Sequence, residues 1–199
     1  MATRSNKKLS DFKGKLIGGG ARPNLFEVEL TTFPDAAEDI WDNTSADLFT
    51  FMCKSAALPA SNIAQIDVPF RGRTFKVAGD RTVDTWTVTI INDESFNLRY
   101  AFEAWVEGMA RLANNIGATD PDAYMTSATV YQLGRGGKPS ARNNEGDKNA
   151  VLASYQFIDI FPTNVSQIDL SYDNGDQIEE FTVEFQVNSW ERLSSTSAE

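Results

Sequence analysis

The chain has 199 residues, of which 41% are hydrophobic and 23% are charged, values typical of one globular domain with a real core. It contains a single cysteine, Cys53, and no histidine, which excludes a disulfide framework and cysteine metal clusters and removes the commonest general base and metal ligand. The net charge is −10, but six basic residues against one acid give residues 1–22 a charge of +5. Residues 23–199 therefore carry −15, a balance that repels nucleic acid.

The amino-terminal segment, residues 1–22, is polar, basic and interrupted by glycines. We predict a flexible arm here, which either stays disordered or becomes ordered on a neighbouring subunit. A single β-rich domain is expected over residues 23–191, and the tail over residues 192–199 is expected to fray. The chain lacks an apolar run of membrane-helix length and its first residues lack the pattern of a secretory signal, so we expect folding in a cytoplasm.

An acidic segment follows the first predicted strand, which lies within residues 24–30. The segment surrounds Trp41 and predicts an exposed loop, with carboxylates at Asp35, Glu38, Asp39, Asp42 and Asp47. These acids lack the ligand spacing and the central glycine of a calcium loop. Residues 47–58 place apolar side chains at both odd and even positions, which predicts a fully buried strand with Cys53 as a buried small hydrophobe.

Residues 63–77 predict a hairpin with Arg71 and Gly72 at its turn. Pro69 cannot donate a hydrogen bond to a ladder, so we expect the hairpin to be an edge or a protruding arm. The clearest strand follows at residues 86–91, where apolar side chains alternate with threonines and should occupy opposite faces.

An amphipathic helix is predicted over residues 96–114, after candidate N-cap residues. Its aromatic stripe indicates packing against a sheet rather than a cofactor site. The remaining predicted elements are strands at residues 125–133, 150–161, 166–172 and 178–190, the last two forming a hairpin across Asn174 and Gly175. Together these elements predict a mainly β protein, a β-sandwich or partly closed barrel with one packed α-helix.

The motifs of the chain do not support catalysis, a cofactor or a metal site. The glycine-rich segments at residues 16–23 and 133–139 lack the spacing and the strand-to-helix context of phosphate-binding loops. Adjacent carboxylates such as Glu179 and Glu180 point to opposite faces of a strand and need not share a site. An enzyme therefore ranks last among the functions considered.

Basic residues beside Phe70 and Phe75 in the predicted hairpin fit two different functions. One is a platform for single-stranded nucleic acid, and the other is an arm that docks by charge onto an acidic neighbour. The acidic balance of the chain favours the second, and exposed strand edges also favour pairing with identical copies. The predicted contacts between subunits or rings are Arg71, Arg73, Lys76 and Arg81 in the hairpin, Lys7 and Lys8 in the arm, and Asp35, Glu38, Asp39 and Asp42 in the acidic loop.

Three stretches carry a resemblance to a known family. They are residues 51–61 (FMCKSAALPAS), residues 66–107, which begin IDVPFRGRTFKVAGDRT, and residues 171–191 (SYDNGDQIEEFTVEFQVNSWE). On these residues the chain resembles the tail tube proteins of contractile-tailed, T-even-like bacteriophages, from about residue 24 to residue 191. The resemblance implies the fold shared by the tubes of type VI secretion systems and tailocins.

The resemblance also implies a function and a set of partners. It implies a structural subunit, not an enzyme, that forms six-fold rings stacked into a hollow tube inside a contractile sheath. The implied partners are other copies of the chain, the sheath protein, baseplate and tube-terminator proteins, and double-stranded DNA that passes through the lumen without specific binding. The implied location is the phage tail, after assembly in the host cytoplasm, and no cofactor is implied.

The polar faces of two strands are predicted to line the lumen, where attractive contacts with phosphates would brake the DNA. These residues are Thr85, Thr87, Thr89, Thr182, Glu184 and Gln186, and the alternative for them is ordinary exposure on an outer face. Other functions remain open: a tube cap, a baseplate initiator, or the tube of a tailocin or secretion device, which share the fold. A nucleic-acid-binding module is the alternative from another class.

Overall fold

A computed structural model describes residues 8–16, 20–30, 33–34, 41, 43–135, 151–173 and 175–193. The helices are α1 (Leu9–Lys15), α2 (Asn43–Met52) and α3 (Asn97–Met109), with a 3₁₀ turn at Pro121–Ala123. The strands are β1 (Phe26–Leu30), β2 (Cys53–Ala56), β3 (Asn62–Phe70), β4 (Arg73–Thr82), β5 (Trp86–Ile91), β6 (Thr126–Leu133), β7 (Val151–Val165) and β8 (Glu180–Leu193). The predicted class, mainly β with one main packed helix, is confirmed.

Two compact units make up the chain. The smaller comprises residues 1–26, 131–154 and 194–199, and contains α1, whose residues are all exposed. Within it, the side-chain amide of Gln132 donates to the carbonyl oxygens of Arg22 and Leu25 at 2.8 and 2.7 Å. These bonds hold the segment before β1 alongside the end of β6. The predicted boundaries of the arm and the tail stay a prediction.

The larger unit comprises residues 27–130 and 155–193. Six strands form a sheet in the order β1-β6-β7-β8-β5-β2, and β3 and β4 form a separate two-stranded sheet. Strands β5 and β8 are antiparallel, and their register places Trp86 opposite Phe185 and Val88 opposite Val183. Because residues directly opposite each other share a face, the apolar side chains of both strands point the same way.

Helix α3 covers this apolar face of β5 and β8. The ring of Phe102 lies 6.0 Å from that of Phe185, and Trp105 donates its indole N–H to the carbonyl of Tyr124 at 2.8 Å. On the same face, the ring of Trp86 stacks on that of Phe157 at 4.5 Å. The core therefore forms from the two alternating strands that the sequence predicts most clearly, together with the aromatic side of the helix.

The predicted buried strand over residues 47–58 is wrong for most of its length. Helix α2 occupies Asn43–Met52 and only Cys53–Ala56 is strand. A short run that is apolar at both parities fits a buried strand and a helix equally well, and here the helix buries Phe49 while Phe51 remains exposed.

The predicted helix is shorter than expected. It ends at Met109 rather than near residue 114, and Leu112 is exposed. After it the chain folds back on itself, since Ala118 donates its amide to the carbonyl of Gly108 at 3.0 Å. Gly117 lies so close to the helix end that an added Cβ would overlap the carbonyl of Met109. The backbone is extended at Ala110, so the helix ends before the predicted asparagines.

The predicted strand at residues 166–172 is also absent from the structure. Residues 166–173 and 175–179 are loop, while β7 runs on to Val165 and β8 begins at Glu180. Leu170 and Tyr172 are exposed, so the segment lacks the half-buried face that stabilises a strand. The Asn174–Gly175 pair thus predicts that the chain reverses between two strands, but it does not predict that a long loop, rather than a tight turn, joins them.

Candidate self-assembly surface

The hairpin of β3 and β4 reverses over two residues, Arg71 and Gly72, between the paired residues Phe70 and Arg73. Both turn residues have positive φ, 46° at Arg71 and 82° at Gly72, as a type I′ turn requires. The twist of this turn matches the right-handed twist of the flanking strands. The hairpin that the sequence predicts over residues 63–77 is confirmed and extends over residues 62–82.

The two faces of this hairpin differ in chemistry. Its register places Val68 opposite Phe75 and Ile66 opposite Val77, while Asp67 lies opposite Lys76 on the other face. We call the apolar set the apolar face: Ile66, Val68, Phe70, Phe75 and Val77. All five of these side chains are exposed, Phe70 and Phe75 each by 65%.

The hairpin is exposed over almost its whole length. Every residue of β3 and β4 is exposed except Gly79, which is half-buried between the strands. There an added Cβ would lie 3.0 Å from the carbonyl oxygen of Ala64. The contact falls beside a register shift between Ile63 and Gln65, where the two strands approach closely.

The tip of the hairpin is basic. Residues 68–77 contain Arg71, Arg73 and Lys76 and lack any acid. The guanidinium of Arg71 lies 5.4 Å from the ring centre of Phe70, and the ammonium of Lys76 donates to the side-chain oxygen of Gln65 at 3.2 Å. The structure thus brings three of the four predicted basic contact residues together at one exposed end.

The fourth, Arg81, lies at the base of the hairpin. Its guanidinium is 4.6 Å from the ring centre of Trp190 on β8, and that ring meets Tyr155 edge to face at 6.0 Å. Nearby, the side-chain amide of Asn62 donates to the carboxylate of Asp84 at 2.5 Å. The contact with Trp190 joins the base of the hairpin to the six-stranded sheet, so Arg81 has a structural role in its own chain.

The residues predicted to line a lumen share one face of β5 and β8. Thr87 lies opposite Glu184, and Thr89 lies opposite Thr182. Thr87 and Gln186 are exposed, while Thr89, Thr182 and Glu184 are half-buried. Thr85, also exposed, immediately precedes β5. We call this set the polar sheet face; it lies on the side opposite to α3.

The structure describes only some of the other predicted contact residues. Lys8 is exposed and immediately precedes α1, where its amide donates to Asp11 at 3.1 Å. Lys7 and the acids Asp35, Glu38, Asp39 and Asp42 lie outside the described residues. Asp47, which the sequence assigns to the same acidic segment, is exposed on α2.

Cys53 is buried as predicted, and burial raises the pKa of its thiol to about 12. Among the described residues, His, Cys, Asp and Glu side chains form no group of three that could hold a metal. Over the same part of the chain, every helix is too short or too polar to cross a membrane.

The family model described as phage tail tube protein matches residues 21–193. The chain is also 36% identical over 174 residues to the tail tube protein gp19 of Enterobacteria phage T4, an alignment that covers 87% of this chain and 93% of the relative. The chain belongs to the phage tail tube protein family. It is 24% identical to the tail tube protein of Serratia phage KSP90, over 87% of this chain and 90% of the relative.

The fold is shared with chains from several solved structures. The chain covers 97% of a chain from the anti-feeding prophage baseplate with a TM-score of 0.59 and 12% identity. It covers 91% of a chain from the tube-terminating cap of the same particle, with a TM-score of 0.56 and 15% identity. It covers 98% of a chain from the sheath–tube complex of an extracellular contractile injection system, with a TM-score of 0.53 and 12% identity. The alignments span 89%, 87% and 94% of this chain.

Membership of this family confirms the predicted function at the level of the tail tube. The protein is a structural subunit of the phage tail, and thus of the virion, and the relatives that establish this are tail tube proteins rather than enzymes. The apolar face of the hairpin is the feature that sequence reasoning missed. Its signal was the alternation of apolar residues at 66, 68 and 70 and at 75 and 77, on either side of a two-residue turn.

Proposed function

We propose that this tail tube protein assembles into hexameric rings, stacked into a hollow tube inside a contractile sheath, and that the β3–β4 hairpin makes contacts between copies. The observation that supports this most strongly is the exposed apolar face. A two-stranded hairpin has marginal stability in water unless it packs on something. A continuous exposed apolar patch on a protein that forms tubes is a surface for another copy.

Opposite charges on the two surfaces would orient the contact between copies. The basic tip carries Arg71, Arg73 and Lys76, whereas residues 23–199 as a whole carry −15. A neighbouring copy therefore presents mostly acidic surface, and opposite charges steer association and fix register. We include Arg81, Lys7, Lys8 and the acids Asp35, Glu38, Asp39 and Asp42 in the proposed contacts between subunits and rings.

The polar sheet face is proposed to line the lumen. The apolar side of β5 and β8 is covered by α3, so the threonines and Glu184 form the side available to a wet channel. These side chains are neutral or acidic, so they offer DNA no attractive phosphate contact and let double-stranded DNA slide during ejection.

The other partners follow from the family and the solved relatives. The similar chains come from a sheath–tube complex, a baseplate and a tube-terminating cap, and we propose equivalent sheath, baseplate and terminator partners for this protein. Assembly is proposed to take place in the host cytoplasm. We also propose that residues 23–191 form the tube domain, with residues 1–22 as an arm and residues 192–199 as a tail.

Polymerisation of matched variants tests the role of the hairpin. We expect Phe75→Asn to raise the concentration needed for assembly about tenfold to a hundredfold, because burial of one phenylalanine contributes about 1.5–3 kcal/mol per contact. Thr74→Asn, on the polar face of the same strand, should assemble normally. Sedimentation and electron microscopy provide the readout, with circular dichroism to confirm folding.

Three outcomes would contradict parts of the proposal. Normal assembly by Phe75→Asn would remove the apolar face from the contact. Single stable rings from the unaltered protein would indicate a cap rather than a tube. Rings without six-fold symmetry would contradict the proposed hexamer.

A further inference from the structure

The loop between β7 and β8 carries a concentrated negative charge. Residues 166–173 and 175–180, which we call the acceptor loop, contain Asp169, Asp173, Asp176, Glu179 and Glu180 and no lysine or arginine. Glu180 forms an ion pair with Lys54 at 2.5 Å, which neutralises one of the five charges. The three aspartates lie nearer the middle of the loop and are exposed.

Both ends of the acceptor loop are fixed to the core. Arg99 on α3 donates to the carbonyl of Ser166, whose hydroxyl accepts from the amide of Thr182 at 2.9 Å. At the other end, the backbone amide of Asn92 donates to the carbonyl of Glu179 at 2.9 Å, and its side-chain amide donates to the carboxylate at 3.1 Å. A loop anchored in this way can present a surface with little loss of entropy on binding.

Apolar side chains lie among these charges. Leu170 is 81% exposed, Ile178 is 72% exposed and Tyr172 is fully exposed. Residues 167–172 and 177–180 line a cavity of about 920 Å³. The loop therefore combines a concave surface that can receive large side chains with an acidic rim, and its three exposed apolar side chains remain unexplained by the fold of a single copy.

We propose that the acceptor loop of one copy receives the tip of the β3–β4 hairpin from a neighbouring copy. The inference rests on the proposed function, in which the hairpin contacts another copy, and specifies the surface that it contacts. The two surfaces are complementary in charge, because the tip carries three cations, of which only Lys76 lies opposite an acid, Asp67, and the centre of the loop carries three aspartates. Phe70 and Phe75 are exposed on the same face of the hairpin as Arg73, and a cavity of this volume can receive side chains of their size.

This arrangement follows the usual organisation of protein interfaces. Aromatic side chains and arginines that fill a pocket carry most of the binding energy, and charges around the rim set orientation and association rate. Phe70 and Phe75 act as anchors in the cavity of the acceptor loop. Arg71 and Arg73 face the aspartates of its rim, while Lys76 lies on the other face of the hairpin.

Mixed disulfide cross-linking tests the pairing directly. Purified Arg71→Cys is mixed with Tyr172→Cys under mild oxidation, and a second sample uses Leu112→Cys, which is as exposed but lies after α3. The native Cys53 can stay in place, because its buried thiol has a pKa raised to about 12 and forms little thiolate. We expect cross-linked dimers from the first mixture, several times more than from the second.

Two results would overturn the pairing. If tubes form but Arg71→Cys cross-links no better with Tyr172→Cys than with Leu112→Cys, the acceptor loop is not the partner of the tip, and the proposed function stands. If the unaltered protein fails to self-associate at any concentration or with baseplates, both the pairing and the proposed function fail.

Charge exchange gives an independent test. We expect Asp173→Arg with Asp176→Arg to raise the concentration needed for assembly about tenfold, since like charges would then face each other. Adding Arg71→Asp and Arg73→Glu should restore assembly towards normal, because the charges are again opposite. A loop variant that forms normal tubes but fails to bind sheath protein would assign the loop to the sheath and overturn the proposal.

Discussion

The guanidinium of Arg81 lies 4.6 Å from the ring centre of Trp190 and joins the base of the exposed hairpin to the last strand of the main sheet. Trp190 also meets Tyr155 edge to face, so the ring is held on two sides. These contacts at the base therefore hold the hairpin against the main sheet, whereas its tip is free to meet another copy. This separation of base and tip leads to distinct expectations for the four basic residues of the hairpin.

We expect Arg81→Ala to loosen the base of the hairpin, because it removes a cation–π contact worth about 0.5–2 kcal/mol. Hydrogen exchange of the amides in β3 and β4 should become faster while the core amides are unchanged. Arg81→Lys keeps a cation over the ring and serves as the control. Equal exchange in the alanine variant and the unaltered protein would show that the contact does not hold the hairpin.

The turn of the hairpin gives a second prediction. Gly72 has φ of 82°, so Gly72→Val should strain the turn by about 1–2 kcal/mol and weaken the paired strands. Arg71→Gly keeps a residue that tolerates positive φ and should leave the strands protected, although it removes a charge. Both effects are measured by hydrogen exchange over residues 62–82. Loss of protection in Arg71→Gly but not in Gly72→Val would indicate that charge, rather than turn geometry, maintains the hairpin.

Neighbouring positions on β8 should differ sharply in their effect on stability. Phe185 is fully buried against α3, so Phe185→Ala should lower the free energy of unfolding by about 3–5 kcal/mol. Gln186 is exposed on the polar sheet face, and Gln186→Ala should change the free energy of unfolding by less than about 0.5 kcal/mol. Urea unfolding of the two variants checks this, and similar losses would contradict the assignment of faces.

Cys53 should be chemically silent in the folded protein. Burial raises the pKa of its thiol from 9.0 to about 12, so the folded state holds its proton where the unfolded state releases it. The contribution to stability is present below pH 9 and is lost as pH rises towards 12. At pH 8 a thiol reagent should react slowly with native protein and rapidly after unfolding in guanidinium. Fast labelling of the native protein would contradict the burial.

The elements that the sequence predicts well are those with one dominant signal. Apolar residues alternate with polar ones along β5 and β8, and burial follows the alternation, with Val88 and Val183 inside and Thr87 outside. The hairpin follows from the turn at Arg71 and Gly72. In these segments the local pattern and the tertiary packing agree.

The elements that the sequence predicts poorly depend on tertiary contacts. Helix α2 is ambiguous because apolar residues occupy both parities, and only the position of Phe49 in the core decides its form. The loop after β7 holds apolar residues that resemble a strand, but Leu170 and Tyr172 remain exposed in a single copy. For the candidate site, the basic residues of the hairpin are visible in the sequence. The contact that fixes Arg81 at the base of the hairpin is with Trp190, which lies 109 positions along the chain and is not visible in the local sequence.

Cryo-electron microscopy of tubes assembled from the purified protein tests the central claim most directly. The claim is that the apolar face of the β3–β4 hairpin makes the contact between copies. We predict stacked hexameric rings in which Val68, Phe70 and Phe75 of each copy are buried against a neighbouring copy. Tubes in which these side chains remain exposed to solvent would contradict the account.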